Sequence, residues 1–196
     1  VRLPSPAVGD ERVFARLFER ETPCFETSRI ALAGEAAERF EFALRTTLAT
    51  TPPILPRCLG AHGIEAILGR VQNAIIAAGF VTTRVLAAPQ DLKTGRLEFT
   101  VIPGRVRAIR FADGSNPRAS LAGAFPIRAG DLLNLRDIEQ GLENLKRAPT
   151  VEADIQILPA DTPGESDLVI AWKQAFPLRV TLSADDAGAR ATGKNQ

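Results

Sequence analysis

Displacing the sequence against itself by 71 residues sets one helical stripe over another. Ile67 falls on Ile138, Val71 on Leu142 and Asn73 on Asn144. The same displacement puts Leu97, Phe99 and Val101 on Leu168, Ile170 and Trp172, the apolar positions of an alternating strand. Any two amphipathic helices can be aligned. A helix stripe and a strand face that share one register instead mark a duplicated unit. The fold must therefore be one that can be built twice in 196 residues. Each unit has roughly 75 residues, so each core is small.

Within the first unit, Phe25–Leu32 reads as a strand that ends at Gly34. Ala36–Leu48 has Ala37, Phe40, Leu44 and Leu48 on one helical face. Thr51–Gly60 holds Pro52, Pro53 and Pro56 and reads as a break. Gly63–Ala78 is the clearest helix, with Ile64, Ile67, Leu68, Val71 and Ile75 in a stripe and Glu65, Arg70 and Gln72 away from it. Gly79 stops it. Val81–Leu86 and Arg96–Ile102 follow as strands, joined through a turn at Thr94-Gly95. The second unit repeats the order. It has a strand at Arg105–Phe111, a short helix at Pro117–Ala124 and a helix at Leu135–Arg147. Asn134 caps that helix, with Asp137 placed as in a capping box. Strands at Glu152–Leu158 and Asp167–Lys173 close the unit around a turn at Pro163-Gly164. The fold class is α+β: two tandem β-α-α-β-β domains, each a three-stranded mixed sheet with two helices on one face.

Charge excludes several functions. Lys and Arg number 24 and Asp and Glu 23, a net +1, which gives no electrostatic footprint for nucleic acid. The longest apolar run, Ala74–Val81, is too short for a membrane helix and contains Gly79. The chain begins at Val1, lacks Met and shows no signal-peptide core, so it reads as a processed or cut product. His62, the one histidine, sits beside Gly63 and reads as a helix-start or surface residue. Ser183, Asp185 and Asp186 lie together, but a serine nucleophile needs a base and His62 is far away in sequence. There is no zinc-protease motif, phosphate loop or dinucleotide fingerprint. No catalytic residue, cofactor or metal site is expected, and the chain is not read as an enzyme. Cys24 and Cys58 match no zinc or redox spacing, which leaves a disulfide or two buried free thiols.

Several strings occur together: Cys58-Leu59-Gly60, Gly79–Arg84, Pro89–Leu92, Pro103–Val106, Ile109–Phe111, Leu133–Leu145 and Gly164–Leu168. In combination they resemble the outer-membrane transporters of two-partner secretion, the hemolysin-activation and secretion protein family. The resemblance covers about Cys24–Gln196. It implies an N-terminal linker at 1–23, polypeptide-transport-associated (POTRA) domains at 24–103 and 104–175, and the truncated start of a transmembrane β-barrel at 176–196. Leu178, Val180 and Leu182 alternate with Arg179, Thr181 and Ser183, as a barrel strand would. It favours the Cys24–Cys58 disulfide and, with it, an oxidising compartment.

The implied role is recognition in the periplasm by a monomer that is embedded in the outer membrane through the missing barrel. The partner is a secreted exoprotein with an N-terminal secretion domain: an adhesin, a hemolysin or a contact-dependent toxin. The same domain type serves barrel-assembly receptors and periplasmic scaffold proteins, which are the alternatives. An unfolded partner would bind by strand addition, without a cofactor. In the sheet order implied by the resemblance, the second strand of each unit is an edge. The expected partner-binding residues are Val81, Thr82, Thr83, Arg84, Val85 and Leu86 in the first domain, and Ala153, Ile155 and Ile157 in the second. Pro103-Gly104 leaves almost no linker, so the two domains are expected to move nearly as one body.

Overall fold

The computed structural model describes residues 21–49, 54–115, 120–147 and 150–175. The readings at 1–20, Pro177–Ser183 and Asp185-Asp186 lie outside them. Eight strands are present among the described residues: β1 (Phe25–Thr27), β2 (Arg29–Gly34), β3 (Arg57–Leu59), β4 (Arg84–Leu86), β5 (Arg96–Ile102), β6 (Arg105–Phe111), β7 (Val151–Pro159) and β8 (Glu165–Gln174). The helices are α1 (Glu41–Leu48), entered through a 3-10 turn at Ala37–Phe40, α2 (Ala61–Ala77), α3 (Leu121–Ala124) and α4 (Leu135–Leu145).

β1 and β3 form a separate two-stranded sheet, and the other six strands form two equivalent sheets, ordered β2-β5-β4 and β6-β8-β7. In each, the first strand runs parallel to the third, and the second runs antiparallel to it. The third strand is central in each of these two sheets. Arg96 and Glu98 of β5 face solvent, while Leu97, Phe99 and Val101 are buried. Their counterparts Leu168, Ile170 and Trp172 of β8 are buried too. Helix α2 lays Ile67, Val71 and Ile75 on the first sheet, each fully buried, and Phe40 meets Phe80 edge to face at 5.1 Å.

The second helix differs at one point. Val71 is fully buried, whereas Leu142 is only partly so, and Gly141 takes the inward place. A Cβ on Gly141 would lie 2.1 Å from the Phe125 ring, so the ring packs directly on helix backbone.

Phe25–Leu32 is two strands, not one. Ser28 and Arg29 both donate backbone N–H to the Gly95 carbonyl, which bends the chain between β1 and β2. β1 pairs antiparallel with β3, inside the segment read as a proline break. Glu26 lies opposite Cys58, and the Cys24–Cys58 disulfide clips this ladder at a Cα–Cα distance of 5.4 Å.

The connection between the sheets is bonded on both sides. Gly104 N–H donates to Thr83 Oγ1 (3.1 Å), and Leu133 N–H donates to the Gly104 carbonyl (2.8 Å). Asn134 caps α4 by accepting from Arg136 N–H and donates Nδ2–H to the Ala78 carbonyl at the end of α2. Leu135 N–H reaches the Gly79 carbonyl (2.9 Å). Gly79 has φ +100°, and a Cβ there would stand 2.3 Å from Asn134 Oδ1, so both conformation and contact require glycine. Arg105 joins Glu35 at 2.5 Å and the Gly130 carbonyl at 2.6 Å. These bonds oppose rotation of one sheet against the other.

Candidate functional site

The expected docking residues are edge-strand residues, so the site is built from backbone. Antiparallel ladders alternate between residues bonded to their neighbour and residues whose N–H and C=O point away. On β7 the phase is set at both ends. Ala160 N–H donates to the Glu165 carbonyl, and Ala175 N–H donates to the Thr150 carbonyl. With the observed register, the even-numbered residues of β7 bond β8. Val151, Ala153, Ile155 and Ile157 therefore turn their N–H and C=O groups outward. Their side chains face the core: Val151 and Ala153 are buried, and Ile155 and Ile157 are half-buried. Pro159 continues the outward series without an N–H, a common way of blunting the end of an edge. Asp154 Oδ1 accepts from Ile155 N–H at 2.9 Å.

The first domain departs from expectation. Only Arg84–Leu86 forms a strand, so Val81, Thr82 and Thr83 are not edge-strand residues. Val81 N–H bonds the Gly79 carbonyl and Thr83 N–H the Phe80 carbonyl, holding the chain in turns. Val81 packs against the second domain's core. Thr83 is fully buried and its hydroxyl is committed to Gly104, while Thr82 Oγ1 is buried beside Gly104 with no hydrogen bond. These three residues belong to the joint between the domains. Of the others, Arg84 and Leu86 are exposed on the outer sheet face and Val85 is buried.

A bidentate ion pair lies on the outer face of the second sheet. Arg107, at the β6 irregularity, donates Nε and Nη2 to the two oxygens of Asp167 at 2.8 and 2.7 Å. Arg110 approaches at 3.9 Å, and Asp161 lies 3.5 Å from Arg107. The hydrogen bonds from Arg107 hold the Asp167 carboxyl below its ordinary range, against the opposing effect of desolvation. The pair is fully committed and leaves no free nucleophile or base. A carboxylate favoured more in the folded than in the unfolded chain stabilises the fold above its ordinary range, and that contribution disappears as pH falls through its lowered value. The urea midpoint of the second domain, followed through Trp172 fluorescence, is expected to fall in acid. The fall should be shallower in Asp167→Asn; equal pH profiles would contradict this role.

His62 is exposed in the first turn of α2, and among the described residues no cluster of His, Cys, Asp and Glu could hold a metal. Sequence reading missed Gln72 of α2, which bonds the β4 edge, because a polar residue off a helical stripe reads as solvated.

Family comparisons agree with the geometry. Residues 25–104 match the family "POTRA domain, ShlB-type", and residues 105–159 match "POTRA domain". The chain is 44% identical over 191 residues to outer membrane transporter CdiB-2 of Burkholderia pseudomallei, covering 90% of this chain and 32% of the relative. It is 24% identical to the hemolysin transporter protein ShlB of Serratia marcescens, covering 70% of this chain and 24% of the relative. Among solved structures, CdiB from Acinetobacter baumannii superposes with a TM-score of 0.74 at 30% identity, covering 82% of this chain and 31% of that one. The chain thus spans about a third of the length of the curated relatives it matches.

Proposed function

The chain belongs to the POTRA-domain family, as a tandem pair homologous to the outer membrane transporters of two-partner secretion, and from that premise we propose that it is the region of such a transporter that receives the exported protein. The homologues are outer membrane transporters, and their POTRA domains lie in the periplasm. A Cys24–Cys58 disulfide fits that oxidising compartment. The partner is an adhesin, hemolysin or contact-dependent toxin bearing an N-terminal secretion domain, taken up while unfolded.

The observation that carries this reading is β7. It is nine residues long, it ends a sheet, and among the described residues no strand covers its outer side. Val151, Ala153 and Ile157 turn both backbone groups outward and Ile155 offers its carbonyl, its N–H being held by Asp154 Oδ1, enough to pair with an extended segment whatever its side chains. Half-buried Ile155 and Ile157 line the inner flank with Leu142, offering apolar contact beside the hydrogen bonds. No nucleotide or metal is needed, because the free energy comes from backbone pairing and burial.

The test uses the N-terminal segment of the exported protein of the same secretion pair, diluted out of urea into a titration calorimeter cell holding this chain. Binding is expected for the unfolded segment and at least about tenfold weaker binding for the same segment once folded, since its own backbone groups are then paired. Equal affinity for both forms would overturn strand addition.

A further inference from the structure

In helix α2 the side chain of Gln72 reaches the sheet rather than solvent. Half-buried Gln72 donates Nε2–H to the Thr83 carbonyl at 2.9 Å and accepts Val85 N–H on Oε1, also at 2.9 Å. The two backbone groups are not arbitrary. Val85 N–H goes to Gln72 and not to β5, so by the alternation of an antiparallel ladder Val85 N–H and the carbonyl of Thr83, the residue just before β4, point away from β5; that carbonyl also accepts from Arg84 Nη1 at a longer 3.4 Å. Thr83 C=O and Val85 N–H are the pair that one residue of an added parallel strand would engage. A primary amide offers the same donor and acceptor as a peptide unit, and Gln72 fills that place from within the chain.

The second domain has no such two-sided plug: Asp154 Oδ1 accepts from the outward N–H of Ile155, but a carboxylate cannot donate to an outward carbonyl. The residue displaced by 71 positions from Gln72 is Glu143, an exposed carboxylate that can accept but not donate. Among the described residues, no α4 side chain bonds to β7 backbone; Gln140 bonds Asn144, and Asn144 bonds the Ala124 carbonyl. The two edges also differ in length, three residues against nine.

Resting on the docking reading above, we propose that Gln72 is a specificity-determining residue that closes the β4 edge to strand addition and so directs an extended polypeptide to β7. Removing its amide opens a second docking edge without altering the first.

The test uses the whole chain, its Gln72→Leu variant and, should that variant fail to fold by circular dichroism, Gln72→Met, which also lacks the amide. The probe is a synthetic octapeptide of alternating valine and threonine with a nitroxide at its N-terminus. Paramagnetic broadening of backbone amide resonances then reports which edge it occupies. In the parent, the amides of 151–157 should lose most of their intensity while those of 83–87 stay sharp. In the variants, both sets should broaden. Broadening at 83–87 in the parent, or sharp resonances there in a folded variant, would overturn the lock. A peptide that broadens 83–87 in the variants but never 151–157 would uphold the lock and refute docking on β7.

Discussion

Removing the Cys24–Cys58 disulfide is expected to lower the stability of the first domain by about 3–4 kcal/mol, the loop-entropy value for a closed span of this size. The bond joins residues 34 positions apart, enclosing β1, β2, α1 and the proline-rich segment. The ladder it clips has only three residue pairs and forms its own two-stranded sheet, which is marginal in isolation. Domains of this kind have about 5–15 kcal/mol in total, so the loss is a large share. The measurement is urea unfolding of a Cys24→Ala, Cys58→Ala double variant. Far-UV circular dichroism follows both domains, whereas fluorescence follows Trp172, the single tryptophan, in the second core. The circular dichroism transition should start at lower urea, ahead of the tryptophan transition. A variant within about 1 kcal/mol of the parent would contradict the expectation.

The second large effect is on binding. Ile157→Pro removes an outward N–H of β7 and sets a ring against an incoming strand, but spares the bonds to β8. Pro159 already occupies an outward position two residues on, so the edge accommodates proline there. One lost hydrogen bond contributes about 0.5–1.5 kcal/mol, and steric exclusion by the ring adds to it, so affinity for the unfolded secretion segment should drop about tenfold or more. Ile157→Ala keeps the N–H and isolates the side-chain contribution. Gln156→Pro removes a bond to β8 instead and should destabilise the second domain. Calorimetric titration and circular dichroism together separate the three. If Ile157→Pro stays folded and binds like the parent, the outward rail at this position does not hold the partner.

The elements with one strong period were legible from residues alone. Leu97, Phe99 and Val101 alternate against charged neighbours, and burial follows that alternation. The displacement of 71 residues found the equivalent strand β8 because Leu168, Ile170 and Trp172 face the same kind of core. Asn134 was legible as a cap, since its side chain competes locally for free helix N–H groups.

What stayed hidden depends on partners distant in sequence. Three prolines mark a break between the helices, but nothing local says that Arg57–Leu59 will pair with Phe25–Thr27. Val81–Thr83 are as β-branched as a strand requires, yet they are drawn into the joint by Gly104 and the second core. Arg107 and Asp167 are 60 positions apart. The phase of β7 rests on the backbone bonds that flank its ladder, which no side-chain pattern encodes. Gln72 is polar and off the stripe, a pattern shared with ordinary solvated residues; only its distance to Thr83 and Val85 distinguishes it.

Strand addition on β7 leaves a signature of period two, and amide hydrogen exchange on the complex with the unfolded secretion segment reads it residue by residue. The N–H groups of Ala153 and Ile157 should become protected when the segment binds, while those of Glu152, Asp154 and Gln156, already bonded to β8, change little. Protection that ignores this alternation, or that appears at Arg84–Leu86 instead of β7, would contradict the account.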